Sequence, residues 1–212
     1  GEGAGKSTQV KLLAERLRAL GIGVRTTREP GGSPGAEAIR HVLLSGAAQP
    51  LGAHAEAILF AAARSDHVGQ TIAPALAKGE WVICDRFIDS TRVYQGKLGN
   101  LDAKFIASLE RIAVGDLKPD LTIILDLPPE IGLQRAAHRN GGQPPDRFEQ
   151  ETLDFHRKLR ESYHEIAEQE PQRCALIDAT PDEATVAQAI FAVVSARLHP
   201  AKAGTAVRGV AR

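Results

Sequence analysis

Apolar positions along the chain recur with two periods. In residues 6–20, Val10, Leu13, Leu17 and Leu20 return at helical spacing. Residues 53–77, 102–115, 129–139, 149–169 and 182–198 carry the same kind of pattern and predict further helices. Between them stand short runs of β-branched and aliphatic residues at 24–28, 81–85, 121–127 and 175–178. Each is short and, taken together, the runs are near-continuous in β-branched and aliphatic residues, which predicts strands. Strands of that kind, alternating with helices, build a parallel sheet covered by helices on both sides. The expected fold class is therefore α/β, with residues 1–198 as one domain. Residues 199–212 are rich in Ala, Gly and Pro without amphipathic periodicity, and predict a flexible C-terminal tail.

Charge and composition narrow the classes of partner. The formal net charge is zero, so no global field recruits nucleic acid or an anionic membrane. No apolar run approaches the roughly 18 residues that span a bilayer, and the start shows no secretory pattern. A cytoplasmic protein that acts on small molecules is expected. Cys84 and Cys174 lie far apart in apolar runs and predict buried, reduced thiols. The seven histidines form no HxxxH or HxH pairing. The chain contains no methionine, even at position 1. It is therefore expected to start after the natural initiator, with about ten preceding residues supplying the first, central strand of the sheet.

Local chemistry must then do what net charge does not. The chain opens on GEGAGKST, the last positions of the phosphate-loop pattern GxxxxGK[ST]. Gly3 and Gly5 allow backbone amides to converge on phosphate oxygens; Glu2, Ala4 and Thr8 complete the loop. Lys6 is placed to reach the β- and γ-phosphates of a nucleotide, and Ser7 to ligate Mg²⁺. The expected fold is accordingly that of the P-loop NTPases. The guanine-reading NKxD motif of GTPases is absent, and motors or helicases are usually longer.

Further motifs follow in order: TREPGG (27–32), FAAAR (60–64), CDRF (84–87), DSTRVYQG (89–96), PDLTIILDL (119–127), an arginine-bearing stretch at 135–147, and LIDAT (176–180). In this order they resemble the bacterial thymidylate kinases, over roughly residues 1–198. The resemblance implies transfer of a phosphoryl group from Mg·ATP to deoxythymidine monophosphate (dTMP), giving dTDP for dTTP synthesis, by a homodimer. A kinase for another pyrimidine nucleotide or for the deoxynucleoside is the nearest alternative. A nucleotide-holding regulatory protein is the alternative of a different class.

The resemblance also distributes roles. Phe60 and Arg64, four apart on one helix face, would stack on thymine and donate to its carbonyl. Taken alone, they could equally be a core ring and a solvated cation. Asp85 and Arg86 follow a strand, at the edge where open parallel sheets bind ligands. Arg86 would grip the acceptor phosphate, and Asp85 would act on Mg²⁺ through water; a structural Asp–Arg pair is the alternative. Thr91 and Gln95 would flank the base, and Tyr94 the sugar. Glu29 and Arg40 belong to the acceptor end, although an exposed helical arginine is commonplace. Ala179-Thr180 would lie near adenine. The loop carries Glu2 but no arginine, so the charge that develops in phosphoryl transfer must be met from a lid at 135–147. Arg139 and Arg147 are the candidates there, with Arg135 expected to hold phosphate or pack on the lid.

Overall fold

The computed structural model describes residues 1–140, 148 and 150–200, without the side chains of 139 and 140. Helix α1 (Lys6–Ala19) starts directly behind Gly5, whose left-handed φ of 84° turns the loop into the helix. Strand β1 (Val24–Arg28) pairs in parallel with β2 (Trp81–Asp85), residue for residue from Val24–Trp81 to Arg28–Asp85. Strand β3 (Thr122–Asp126) pairs the same way with β4 (Cys174–Asp178). The expected parallel α/β arrangement is present, as two strand pairs. Residues of β2 and β3 line a cavity of about 580 Å³. Val10, Leu13 and Leu17 of α1 complete its apolar wall.

Side chains of β3 leave alternately to the two faces, as a pleated strand requires. Ile123 and Leu125 pack with Ile177 and with Val186, Ile190 and Val194 of α9 (Glu183–Leu198). Ile124 packs oppositely, with Leu159 and Ile166 of α8 (Leu153–Gln169). Helices thus cover both faces. A third cluster joins α3 (Gly52–His67) to α6 (Ala103–Val114) through Ala57, Ala61, Ile106, Leu109 and Ala113.

Several helix ends differ from expectation because caps replace first turns. Asp102, Thr152 and Asp182 stand outside α6, α8 and α9 and accept backbone N–H bonds from residues two or three further on. The helix expected at 53–77 runs through α3, a wider π turn (Val68–Ile72) and α4 (Ala73–Ala77). After β2 comes a short α5 (Ile88–Thr91) that continues as a π turn over Arg92–Leu98. Between β1 and α3 lies α2 (Pro34–Leu44), and α7 spans Pro129–Asn140. Among the described residues no helix is long and apolar enough to cross a membrane.

The equal register brings the C-terminal ends of the strands in each pair level. Glu29 N donates to the Asp85 carbonyl (2.9 Å) and Ala179 N to that of Asp126 (2.8 Å). The segments TREPGG, CDRF and LIDAT therefore all turn at the carboxyl edge, beside the loop that opens α1.

Candidate active site

A cavity of about 870 Å³ occupies that edge. Its wall contains the whole loop from Glu2 to Thr8, including Gly3, Ala4, Gly5, Lys6 and Ser7, together with Asp85 and Arg86. Glu29, Arg40, Phe60, Arg64, Thr91, Tyr94 and Gln95 line it as well. The structure brings these sequence-selected residues from six segments into one space. The two lid arginines are the exceptions: Arg147 lies outside the described residues, as does the side chain of Arg139.

The loop is shaped by close approach. A Cβ on Gly3, whose φ is +64°, would fall 1.9 Å from the Gly132 carbonyl oxygen of α7. Gly5 meets no neighbour, so its requirement is the left-handed backbone alone. The amides that open α1 have no carbonyl one turn behind them within the helix, and the helix dipole adds positive potential at the cavity. Lys6 Nζ donates to the Gly1 carbonyl (2.6 Å). Ser7 Oγ donates to Asp85 Oδ2 (3.1 Å). Asp85 Oδ1 is buried without a hydrogen-bond partner among the described residues. A hydroxyl beside an unsatisfied carboxylate oxygen, next to a phosphate loop, fits the all-oxygen preference of Mg²⁺.

Arg86 takes a φ of 68°, unusual for a residue with a side chain, directly after β2. Its guanidinium donates to Glu2, lies 5.2 Å from the Tyr94 ring centre and is mostly buried. Burial opposes charge on Arg86, yet Tyr94 and Glu2 hold its pKa well above the ordinary value. For Glu2, burial pulls upward, but Arg86 and then Lys6 bring the carboxyl down to about 2. Tyr94 also donates to Glu2 (3.2 Å), and burial pushes its phenol up, so it stays protonated. The loop acid, expected to complement the lid, has Arg86 and Tyr94 as its partners.

This shift fixes a sign. Glu2 is harder to protonate folded than unfolded, where a carboxyl titrates near 4.5. Its contribution to stability is complete above that value and fades as pH falls towards about 2. Glu2→Gln should flatten the decline of urea stability below pH 5; an unchanged slope between pH 5 and pH 3 would contradict the pairing.

Arg64 and Glu29 form a buried ion pair, Nε to Oε2 at 2.7 Å. Arg64 also donates to Thr91 Oγ1 (2.9 Å) and the Phe87 carbonyl (3.2 Å). Arg40 Nη1 donates to the Pro30 carbonyl (2.6 Å), which ties α2 to the turn after β1. Gln95 Nε2 approaches Glu56 Oε1 at 3.5 Å, the outer limit of a hydrogen bond. Arg135, expected to hold phosphate or pack on the lid, lines the same cavity. Its guanidinium donates to the carbonyls of Ala179 (2.9 Å) and Thr180 (3.0 Å), so it holds the LIDAT turn.

Sequence reasoning missed two buried residues, Glu56 and His67. Glu56 sits one turn before Phe60 on α3, a helical spacing that could have flagged it. The Glu29, His67 and Cys84 ligand atoms lie within 4.8 Å of one another, although the histidines show no metal-binding spacing. Both His67 nitrogens and both Glu29 oxygens already have partners. Burial, then the Glu29 charge, pushes the Cys84 thiol well up, so no thiolate forms readily. Glu29 and His67 are joined by a hydrogen bond, while the Cys84 thiol donates to the Arg86 carbonyl.

Comparison with known proteins agrees with this geometry. A family model described as Thymidylate kinase matches residues 1–190. The thymidylate kinase of Rhodopseudomonas palustris (strain TIE-1) is 60% identical over 206 residues, covering 96% of this chain and 90% of that protein. That of Nitrobacter winogradskyi is 58% identical over 205 residues, covering 97% and 89%. The crystal structure of thymidylate kinase from Ehrlichia chaffeensis superposes with a TM-score of 0.73 at 32% identity, covering 92% of this chain and 94% of that one. With the phosphate loop, the carboxyl-edge cavity and these matches in hand, the chain belongs to the thymidylate kinase family of phosphotransferases.

Proposed function

We propose that the chain transfers the γ-phosphoryl group of ATP to dTMP, forming ADP and dTDP, at the 870 Å³ cavity of the carboxyl edge. The observation that carries this reading is the meeting of several sets of groups in that one space. The phosphate loop with Lys6, the set Arg64, Thr91, Tyr94 and Gln95, and Asp85 with Arg86 all line it. An oxygen of the acceptor phosphate attacks the γ-phosphorus in line. The bond to the β,γ-bridging oxygen breaks, and ADP leaves with that oxygen. No covalent enzyme intermediate is needed.

Lys6 and the amides that open α1 hold the donor phosphates, and Arg86 holds the acceptor phosphate. Ser7, with Asp85 through water, would hold Mg²⁺, which neutralises charge on the phosphate oxygens. Arg139 and Arg147 are proposed to meet the transition-state charge from the lid. Phe60 stacks on the base while Arg64 donates to its carbonyl; Arg64 has five N–H groups, of which its contacts to Glu29, Thr91 and Phe87 engage three. Thr91 and Gln95 flank the ring, and Tyr94 lies against the sugar. Glu29 fixes Arg64, and Arg40 fixes the turn at the acceptor end. Ala179-Thr180 lies near adenine. A homodimer is supported by Ile58 of α3 and Ile112 of α6, exposed at 49% and 73% on two helices packed together. A cytoplasmic location follows from the substrates.

ADP release measured across dTMP, dUMP, UMP, CMP and thymidine tests the assignment. The expected result is turnover on dTMP well above the rest. Comparable turnover on UMP or CMP would redirect it to another pyrimidine nucleotide, and turnover on thymidine to the nucleoside. ATP binding without ADP release on any acceptor would leave only a regulatory role. Arg64→Ala should raise the KM for dTMP about tenfold or more, the cost of a buried charged hydrogen bond, with little change in the KM for ATP.

A further inference from the structure

We infer that His67 is a positioning residue for the acceptor nucleotide, acting through Glu29 to fix the plane of Arg64. His67 is fully buried at the C-terminal end of α3, three residues after Arg64. Its Nδ1 lies 3.0 Å from Glu29 Oε1, and Arg64 Nε lies 2.7 Å from Glu29 Oε2. One helix thus addresses both oxygens of one carboxylate. Ionised Glu29 only accepts, so the His67 proton sits on Nδ1. The opposite nitrogen, Nε2, stands 2.6 Å from Thr27 Oγ1, whose hydroxyl donates to it when the ring is neutral. The ring is therefore held from two sides, both supplied by the segment that ends β1.

The backbone closes around this contact. A Cβ on Gly32 would fall 2.4 Å from Thr27 Oγ1 and 2.5 Å from His67 Nε2, and Gly32 has a φ of +87°. Thr71, one turn beyond His67, donates to the Gly32 carbonyl (2.7 Å). Residues 27, 29 and 32 of the TREPGG segment are in this way clamped to the end of α3. Without His67, Oε1 of a carboxylate only 4% exposed would lose its donor. The carboxylate could then rotate to recover one, and Arg64 would lose the contact that orients it towards Thr91 and the cavity.

This inference rests on the reading of Arg64 as a base-contacting residue, and the experiment separates the two. Steady-state kinetics on the full chain, with dTMP varied at saturating ATP, would compare His67→Leu, His67→Asn, Arg64→Ala and the Arg64→Ala/His67→Leu pair. His67→Leu should raise the KM for dTMP about tenfold, the cost of an orphaned buried acceptor, with kcat within about threefold. The KM for ATP should not change. His67→Asn, whose amide N–H can replace Nδ1–H, should recover most of the loss. In the Arg64→Ala background, His67→Leu should add less than about twofold, because its effect passes through Arg64. Equal factors in both backgrounds, or no recovery with Asn, would overturn the positioning role while leaving the Arg64 reading intact. An unchanged KM in Arg64→Ala alone would instead remove the base contact. If His67→Leu fails to fold, Thr27→Val takes its place: a KM increase that disappears in the Arg64→Ala background supports the relay, and one that persists there overturns it.

Discussion

Lys6→Ala is expected to lower ADP formation with dTMP about a thousandfold, the scale of losing one preorganised charge at a developing anion. Lys6 stands at the first position of α1, behind a glycine that no other residue replaces without strain. Its ammonium is carried into the cavity next to the loop amides. Phosphoryl transfer asks little covalent chemistry of the protein, so removing this charge removes a large part of what the site supplies. Stability should fall far less than activity, since Arg86, ahead of Lys6, is the main partner of the Glu2 carboxylate. Lys6→Arg should not restore the rate, because a planar fork cannot stand in for a compact point charge. Coupled ADP release and thermal melting on the same preparations check both halves. A loss under tenfold would mean that Lys6 is not at the transferring group.

Much of this site was legible in the chain because its chemistry lies in contiguous words. GEGAGKST announces a phosphate loop by its glycines and the Lys-Ser pair that opens a helix, and FAAAR places a ring and a cation on one helical face. The parallel pairing followed from strands such as 122–126 being apolar on both faces. What escaped was assembled only by folding. His67 matters through Glu29 and Thr27, nearly forty residues away, and no spacing within α3 marks it. Arg135 looked like a lid cation because it precedes a Gly- and Pro-rich stretch. Its real partners are carbonyls of a turn more than forty residues later. The π turn over Arg92–Leu98 was also invisible, since its apolar pattern does not differ from that of an ordinary helix. Even so, Thr91, Tyr94 and Gln95 line the cavity, where the family resemblance, not their spacing, had put them.

Arg86→Ala is the second large expectation, and here activity and stability should fall together. The side chain is held between Glu2, Tyr94 and the end of β2, on a backbone with positive φ. Removing it deletes the cation proposed to hold the acceptor phosphate, and turnover should drop about a thousandfold. It also leaves Glu2, 11% exposed, without its main partner. A mostly buried charge stripped of its partner costs about 3 kcal/mol. The two effects can be separated by neutralising Glu2 as well. Glu2→Gln/Arg86→Met removes both charges and keeps apolar bulk, so it should regain most of the urea stability lost in Arg86→Ala while remaining inactive. If the double variant is no more stable than Arg86→Ala, the Glu2–Arg86 pair does not organise the loop. If Arg86→Ala keeps more than a tenth of wild-type turnover, Arg86 does not hold the acceptor phosphate. The loop acid would then serve only to brace the fold.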